Sequence, residues 1–262
     1  MNPFPRARKR FGQHFLNDDG IIQRIVDCIA PRDTQHMIEI GPGPAVLTQH
    51  LVPAVKALTL IEIDRDLAAT LQAQYADQAH VTLLNQDVLK IDWQELNHSQ
   101  AWRVVGNLPY NISTPLIFHL LESSLPITDM VFLLQKEVVD RLCAQPGSKQ
   151  YGRLSVMAQY HCQARSVFFV PPEAFTPPPK VMSAVVTLTP WKEKPYVATN
   201  PDHLSELVTK AFSLRRKTIA NSLKGMVTKD QLTKAKIDPS ARAETLSVSK
   251  FVTLSNLTEN SA

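Results

Sequence analysis

Five apolar runs, HMIEIG, ALTLIEID, VTLLNQD, WRVVGN and TDMVFLLQ, recur between residues 36 and 135. Stretches with helical periodicity, such as RDLAATLQAQYAD and STPLIFHLLESS, separate several of them. Short apolar runs closed by turn residues are buried strands, and helices between them supply the crossovers that parallel strands need. This alternation predicts an α/β chain with a mainly parallel sheet and helices on both faces. Further on, YGRLSVMAQYHCQ reads as a helix, and ARSVFFV and SAVVTL read as strands joined by the proline-rich PPEAFTPPPKV. That pair predicts an antiparallel addition at the sheet edge. Past Pro190 the β-branched runs fade, and HLSELVTKAF, KTIANSLKGM, KDQLTKAK and SVSKFVTLSNL carry helical patterns. The expected organisation is an α/β domain over 1–190 and a small helical domain over 191–262.

Charge is distributed unevenly. Arg6, Arg8, Lys9 and Arg10 open the chain without an acid among the first ten residues. Residues 191–262 hold 12 Lys and Arg against 7 Asp and Glu, whereas 11–190 hold 12 against 17. Two basic ends around an acidic body suit a polyanion gripped from both sides. No long apolar run suggests a membrane span, and the basic start has no apolar stretch behind it, as a secretory signal would. Cys28, Cys143 and Cys162 are scattered and odd in number. They are expected to be reduced core thiols of a cytoplasmic protein, with neither a disulfide frame nor a metal site.

MIEIGPGPAVLT, Met37 to Thr48, is a strand running into Gly41 and Gly43 and then a helix start. Glycines there let a ligand approach the backbone. The next strand ends in Glu62, 21 residues after Gly41, where a carboxylate can bind ribose hydroxyls. The pattern fits several nucleoside cofactors, and the prolines tilt the choice. A pyrophosphate wants free amides at the helix start, and Pro42 and Pro44 each remove one. A nucleoside without phosphates, such as S-adenosylmethionine, suffers less. Asp87, closing the third strand in LLNQDVLK, can accept from an adenine amino group, although an Asp there is also a common turn former.

VVGNLPYN, Val104 to Asn111, closes the fourth strand on the same sheet edge. An adenine amine is a poor nucleophile because its lone pair is delocalised into the ring. Two acceptors for its hydrogens, the Asn107 side-chain oxygen and the Leu108 carbonyl, would favour the pyramidal, nucleophilic geometry. Pro109 stiffens the loop and Tyr110 offers a ring for stacking.

IEIGPG, IEID, GNLPYNISTP, EAFTPPPKVMSAVV and AFSLRRKTIANSL, with an opening KRFGQHFL, occur in one order from about Lys9 to Leu257. In this the chain resembles the ribosomal RNA adenine dimethyltransferase family, and within it the bacterial small-subunit branch. The resemblance implies a Rossmann-like class I methyltransferase sheet with a small C-terminal helical domain. It implies transfer of methyl groups from S-adenosyl-L-methionine to two adjacent adenosines of 16S rRNA, within the immature 30S ribosomal subunit, by a monomer. Positions matching His14, Leu16, Gly41, Glu62, Asp87 and Asn107 contact the cofactor in that family. Those matching Asn107, Leu108 and Tyr110 hold the target base, and an aromatic matching Phe175 packs on its other face. Phe175, set between two proline clusters, can equally plug the core, as can Phe11 and Phe15. Arg8, Lys9, Arg10, Arg215, Arg216 and Lys217 would meet phosphates, or else line a solvated surface. Two positions depart from the family pattern: His14 stands where many relatives carry Asn, and Ala45 replaces a glycine of the cofactor loop.

Three other classes compete. A DNA adenine methyltransferase more commonly follows Asp or Asn with two prolines and lacks FTPPPKV and RRKTIANSL. A non-catalytic assembly factor would not need Glu62, Asn107 and Tyr110 intact. An NAD dehydrogenase is disfavoured by the loop prolines and by the lack of an evident hydride-transfer acid.

Overall fold

The computed structural model describes residues 13–96 and 99–259. In chain order its elements are β1 (Phe15–Leu16), α1 (Asp19–Ile29), β2 (His36–Ile40), α2 (Thr48–Leu51), β3 (Ala57–Ile61), α3 (Arg65–Gln74), β4 (Val81–Leu84), β5 (Trp102–Asn107), α4 (Ser113–Leu121), β6 (Ile127–Gln135), α5 (Lys136–Leu142), α6 (Arg153–His161), β7 (Cys162–Val170), β8 (Phe175–Thr176), β9 (Ser183–Pro190), α7 (Pro201–Ser213), α8 (Ile219–Ser222), α9 (Lys229–Lys234) and α10 (Val248–Glu259). They form two compact units. One runs to Val139 and resumes over Arg165–Pro190; the other takes Asp140–Ala164 and the chain from Trp191 onward.

A seven-stranded sheet in the order β4-β3-β2-β5-β6-β9-β7 organises the first unit. β2 pairs in parallel with β3 on one side and β5 on the other, so the chain winds outward through β4 and then restarts from the centre. A ligand crevice lies at such a reversal, beyond the carboxyl ends of the two central strands. β9 closes antiparallel on β6, with Val186 opposite Phe132. Met37, Ile38, Val104 and Val105 are buried, as central strands covered on both faces require. At the carboxyl end of β5 the backbones of β2 and β5 come so close that a Cβ on Gly106 would lie 2.4 Å from the Ile40 carbonyl oxygen. Only glycine fits there.

The opposite end of β5 carries a buried cation. Arg103 forms a two-pronged pair with Asp129, Nε to Oδ1 at 2.7 Å and Nη2 to Oδ2 at 3.0 Å. The same guanidinium donates to the Ile29 carbonyl at 2.6 Å and to Gln35 Oε1 at 2.9 Å. It therefore ties the end of α1, which turns left-handed at Ala30, to the two strands beneath it.

The second unit is helical. Leu204, Leu207, Val208 and Ala211 recur on one buried face of α7, which starts at Pro201 with the Asn200 side chain accepting from two first-turn amides. The sequence reading kept residues 140–164 with the sheet, but they belong to this unit. α6 packs on α7 and α10. Its Tyr160 hydroxyl accepts the Ala198 N–H at 3.3 Å, and the Trp191 indole donates to the Gln159 carbonyl at 3.0 Å. A helix in mid-chain can pack against either neighbour, and its own periodicity does not say which. The long pattern KTIANSLKGM yields only the single turn of α8, with Gly225 at positive φ shortly beyond it.

Candidate active site

The crevice at the carboxyl ends of β2, β3 and β5 opens into a cleft enclosing about 1130 Å³ of space, part of it at the solvent mouth. His14, Leu16, Gly41, Glu62, Asp87, Asn107, Leu108 and Tyr110 all line it. Eight positions drawn from five separate stretches of the sequence thus meet on one surface.

The glycine loop supports the argument from the prolines and strengthens it. Pro42 and Pro44 carry no N–H, and the remaining amides of residues 41–45 are spent within the fold. Gly41 N–H donates to the Ile61 carbonyl at 2.9 Å and Ala45 N–H to the Pro42 carbonyl at 2.9 Å. Gly43 N–H donates to Glu62 Oε2 at 3.2 Å. No amide of this segment is left to cradle a pyrophosphate. Ala45 occupies the left-handed region at φ 62°, which explains why a glycine suits that position.

Glu62 is 4% exposed, and its carboxylate is clamped from two directions, by Gly43 and by the Asp64 N–H at 2.9 Å on Oε1. Each oxygen keeps a further lone pair, which suits the paired hydroxyls of a ribose. Burial pushes its pKa above the usual carboxylate value, while the backbone hydrogen bonds pull it down. Ile63, 44% exposed in the cleft, and Val88 and Leu89 supply apolar walls for a flat ring, beside Asp87. The Asp87 side chain also accepts from Leu89 N–H at 3.0 Å, so it shapes its turn as well as facing the cleft.

Asn107 is oriented by its amide. Nδ2 donates to the His14 main-chain carbonyl at 3.1 Å, which leaves the side-chain oxygen as the acceptor on offer. Leu108 N–H is held by the Leu133 carbonyl at 3.2 Å, fixing the loop against β6. The Tyr110 hydroxyl is tied to Ser183 Oγ at 2.7 Å, and its ring stacks on that of His14 with centroids 5.5 Å apart and planes 26° from parallel. His14 Nδ1 in turn meets the Pro177 carbonyl at 2.7 Å. The departure at His14 is therefore a stacking and anchoring change, because the group it offers to Asn107 is backbone.

Phe175 corrects an expectation. It lies in β8, opposite Leu16 of β1, is 2% exposed and belongs to the hydrophobic core. The ring is packed in the core, does not line the cleft and leaves almost no surface for a base. Arg8, Lys9, Arg10 and Phe11 lie outside the described residues. Arg215, Arg216 and Lys217 sit in the turn after α7 and not on a helix face. Arg215 pairs with Glu244 at 3.7 Å and donates to the Lys149 carbonyl.

Glu39 was missed from sequence, although a carboxyl inside the buried run MIEI was its signal. It lines the cleft two residues before Gly41, with Thr48 Oγ1 donating to it at 2.7 Å. Burial, and secondarily the charge of Glu62, raise its pKa to about 8 against the Thr48 hydrogen bond. A carboxyl raised in the folded state gives stability that is complete below its ordinary value of 4.5 and is lost as pH climbs toward about 8. Glu39→Gln stays neutral throughout. Its Tm is expected to gain on the parent's progressively from pH 5 to pH 8; a difference independent of pH would show that Glu39 is ionised throughout that range.

A family model described as "Ribosomal RNA adenine dimethylase" matches residues 5–260. A protein of Acinetobacter baylyi named "Ribosomal RNA small subunit methyltransferase A" is 54% identical over 252 residues, covering 96% of this chain and 92% of that protein. A protein of the same name from Coxiella burnetii is 50% identical, covering 95% and 97%. Among solved structures, a dimethyladenosine transferase from Plasmodium falciparum matches at TM-score 0.75 and 26% identity, covering 92% of this chain and 96% of that one. The 23S rRNA methyltransferase ErmE shares the fold at TM-score 0.72 and 24% identity, covering 94% and 99%.

Proposed function

The chain belongs to the ribosomal RNA adenine dimethylase family and is a methyltransferase, and we propose that it dimethylates the exocyclic amines of two adjacent adenosines in 16S rRNA. Its methyl donor is S-adenosyl-L-methionine, its substrate is the immature 30S subunit in the cytoplasm, and it works as a monomer with a role in subunit biogenesis. Among the described residues no helix is long and apolar enough to cross a membrane. The observation that carries the reading is the Asn107 amide, whose Nδ2 donates to the His14 carbonyl and so leaves its oxygen as the acceptor in a cleft that Leu108 also lines.

The residues divide the work. Glu62 takes the ribose hydroxyls, Asp87 accepts from the adenine amino group and Ile63 packs against the adenine ring. Gly41 lets the donor approach the backbone, and His14 and Leu16 close the cleft over it. The bound donor supplies a methyl already activated on a sulfonium. Asn107 Oδ1 and the Leu108 carbonyl accept the two hydrogens of the target amine and turn its lone pair out of conjugation as attack begins. Tyr110, anchored at both hydroxyl and ring, stacks the extruded base. No strong base need act first, since the alkylated amine sheds its proton readily, so positioning carries much of the catalysis.

Incubation with undermethylated 30S subunits and S-adenosylmethionine should yield dimethyladenosine by nucleoside mass spectrometry. Tighter binding of NAD than of S-adenosylmethionine would overturn the assignment. Glu62→Ala is expected to weaken S-adenosylmethionine binding by roughly tenfold or more, about 1.4 kcal/mol, through lost charge-assisted hydrogen bonds. Unchanged affinity in calorimetry would remove Glu62 from the ribose.

The turn after α7 gives a second, independent measurement. Replacing Arg215, Arg216 and Lys217 together with Ala should lower RNA affinity and reduce the salt slope by about two phosphate contacts. Arg215 is partly committed to Glu244 and Lys149, so a full three is not expected. An unaltered slope would make this turn a solvated surface.

A further inference from the structure

The first unit leaves several apolar side chains in water. Phe169 is 51% exposed and Met182 38%, and Val167 and Val181 are exposed with them. Single exposed apolar residues are ordinary on a protein surface, but a cluster marks a contact. Val167 and Phe169 lie two apart on β7 and so share one face of that strand, with exposed Arg165 two further back.

A chain of contacts joins this group to the target-base loop. Tyr110 bonds Ser183, the residue after Met182. The Met182 carbonyl accepts the Lys136 N–H at 2.9 Å. Lys136 Nζ in turn lies over the Phe169 ring, 5.1 Å from its centroid. An exposed aromatic with an ammonium over it and an arginine along the same strand is the combination that holds a base by its face and its phosphate by charge. An apolar protein partner would gain nothing from the two cations.

We propose that Phe169, with Lys136 and Met182, forms a platform for the nucleotide next to the adenosine held at Tyr110. The inference rests on the function proposed above, because there the neighbour of one target adenosine is the other. The platform holds the second adenosine while the first reacts, and so promotes modification of the pair. Phe169 acts by binding and positioning and touches no reacting atom.

The test uses the full-length protein and undermethylated 30S subunits, whose rRNA carries the two adjacent target adenosines. Phe169→Ala should raise KM for the RNA about tenfold, with kcat within about twofold. Products carrying only one dimethylated adenosine should accumulate. Phe169→Tyr should restore the parent values, and all variants should share one Tm. Phe169→Trp adds a readout free of turnover: its extra fluorescence should be quenched by RNA in the absence of cofactor. Unquenched Trp fluorescence together with an unchanged KM would overturn the platform. So would concentration-dependent self-association of the parent that Phe169→Ala abolishes, which would make the patch a contact between copies. Quenching by undermethylated 30S subunits in which the parent, given S-adenosylmethionine, forms no dimethyladenosine would instead overturn the function and leave the platform standing.

Discussion

Asn107→Ala is expected to slow methyl transfer about a hundredfold while RNA binding persists. One lost transition-state acceptor in a preorganised site costs on the order of 3 kcal/mol. The geometry sharpens this. The Asn107 Nδ2 bond to the His14 carbonyl fixes which end of the amide faces the cleft, so the oxygen does not have to be turned into place during reaction. Cofactor affinity should fall as well, since Asn107 lines the cleft and is proposed to meet both ligands, and rates must be taken at saturating S-adenosylmethionine. Asn107→Asp keeps an acceptor and should retain more activity than Ala, though it loses the N–H that meets His14. The two transfers should suffer unequally. An unmodified amine has two hydrogens for Asn107 and the Leu108 carbonyl, and a monomethylated amine has one. Near-normal single-turnover dimethylation by the Ala variant would reduce Asn107 to a turn former.

The second large effect lies at the other end of the same strand and concerns stability. Arg103→Ala should destabilise the protein by about 3 kcal/mol, measured by urea denaturation. Breaking a buried pair by removing one partner strands the other, at roughly 3–5 kcal/mol. The lower end applies because the Asp129 side chain is 31% exposed and water can reach part of it. Arg103→Lys should recover little. A single ammonium cannot meet Asp129, Gln35 and the Ile29 carbonyl together. Asp129→Asn keeps an acceptor oxygen and should cost less than Arg103→Ala. At temperatures where the Ala variant is folded its kcat should be close to the parent's, because Arg103 lies far along β5 from Asn107. A loss below 1 kcal/mol would mean that α1 is held to the sheet by its apolar face alone.

Much of the cleft was legible because its residues follow from local rules. A strand that stops at a glycine loop or at a carboxylate announces itself in a few letters, as IEIGPG, IEID and GNLPY do. Parallel strands all present their carboxyl ends on one edge, so those stops had to converge. The loop prolines were informative for the same reason: an absent N–H is absent in every fold. Which of the remaining amides were already spent was not local. Gly43 N–H is lost to a ligand because Glu62, just past the end of β3, accepts it.

Where sequence reading went astray, the deciding partner was distant. Phe175 between its prolines fits a presented ring or a plug equally well, and the pairing of β8 with β1, across about 160 residues, decided for the plug. Residues 140–164 carry a helix of unambiguous pattern, yet its assignment to the second unit depended on α7 and α10, which come later in the chain. Glu39 is a carboxyl in an apolar strand from sequence alone; its complete burial, which chiefly raises its pKa, and the neighbouring charge of Glu62, which adds to the rise, came with the packed sheet and the β2–β3 register. By itself the sequence determined strand and helix types, the composition of the cleft and the family. Those depend on side-chain period, backbone donors and short motifs, which are properties of neighbouring residues. Tertiary structure alone decided which donors remained free, which ring was buried and which carboxyl has its pKa raised by burial. Each of those is a question of what a group meets in space, and the free energy of burying a polar group or a ring is set by that partner, wherever in the chain it comes from.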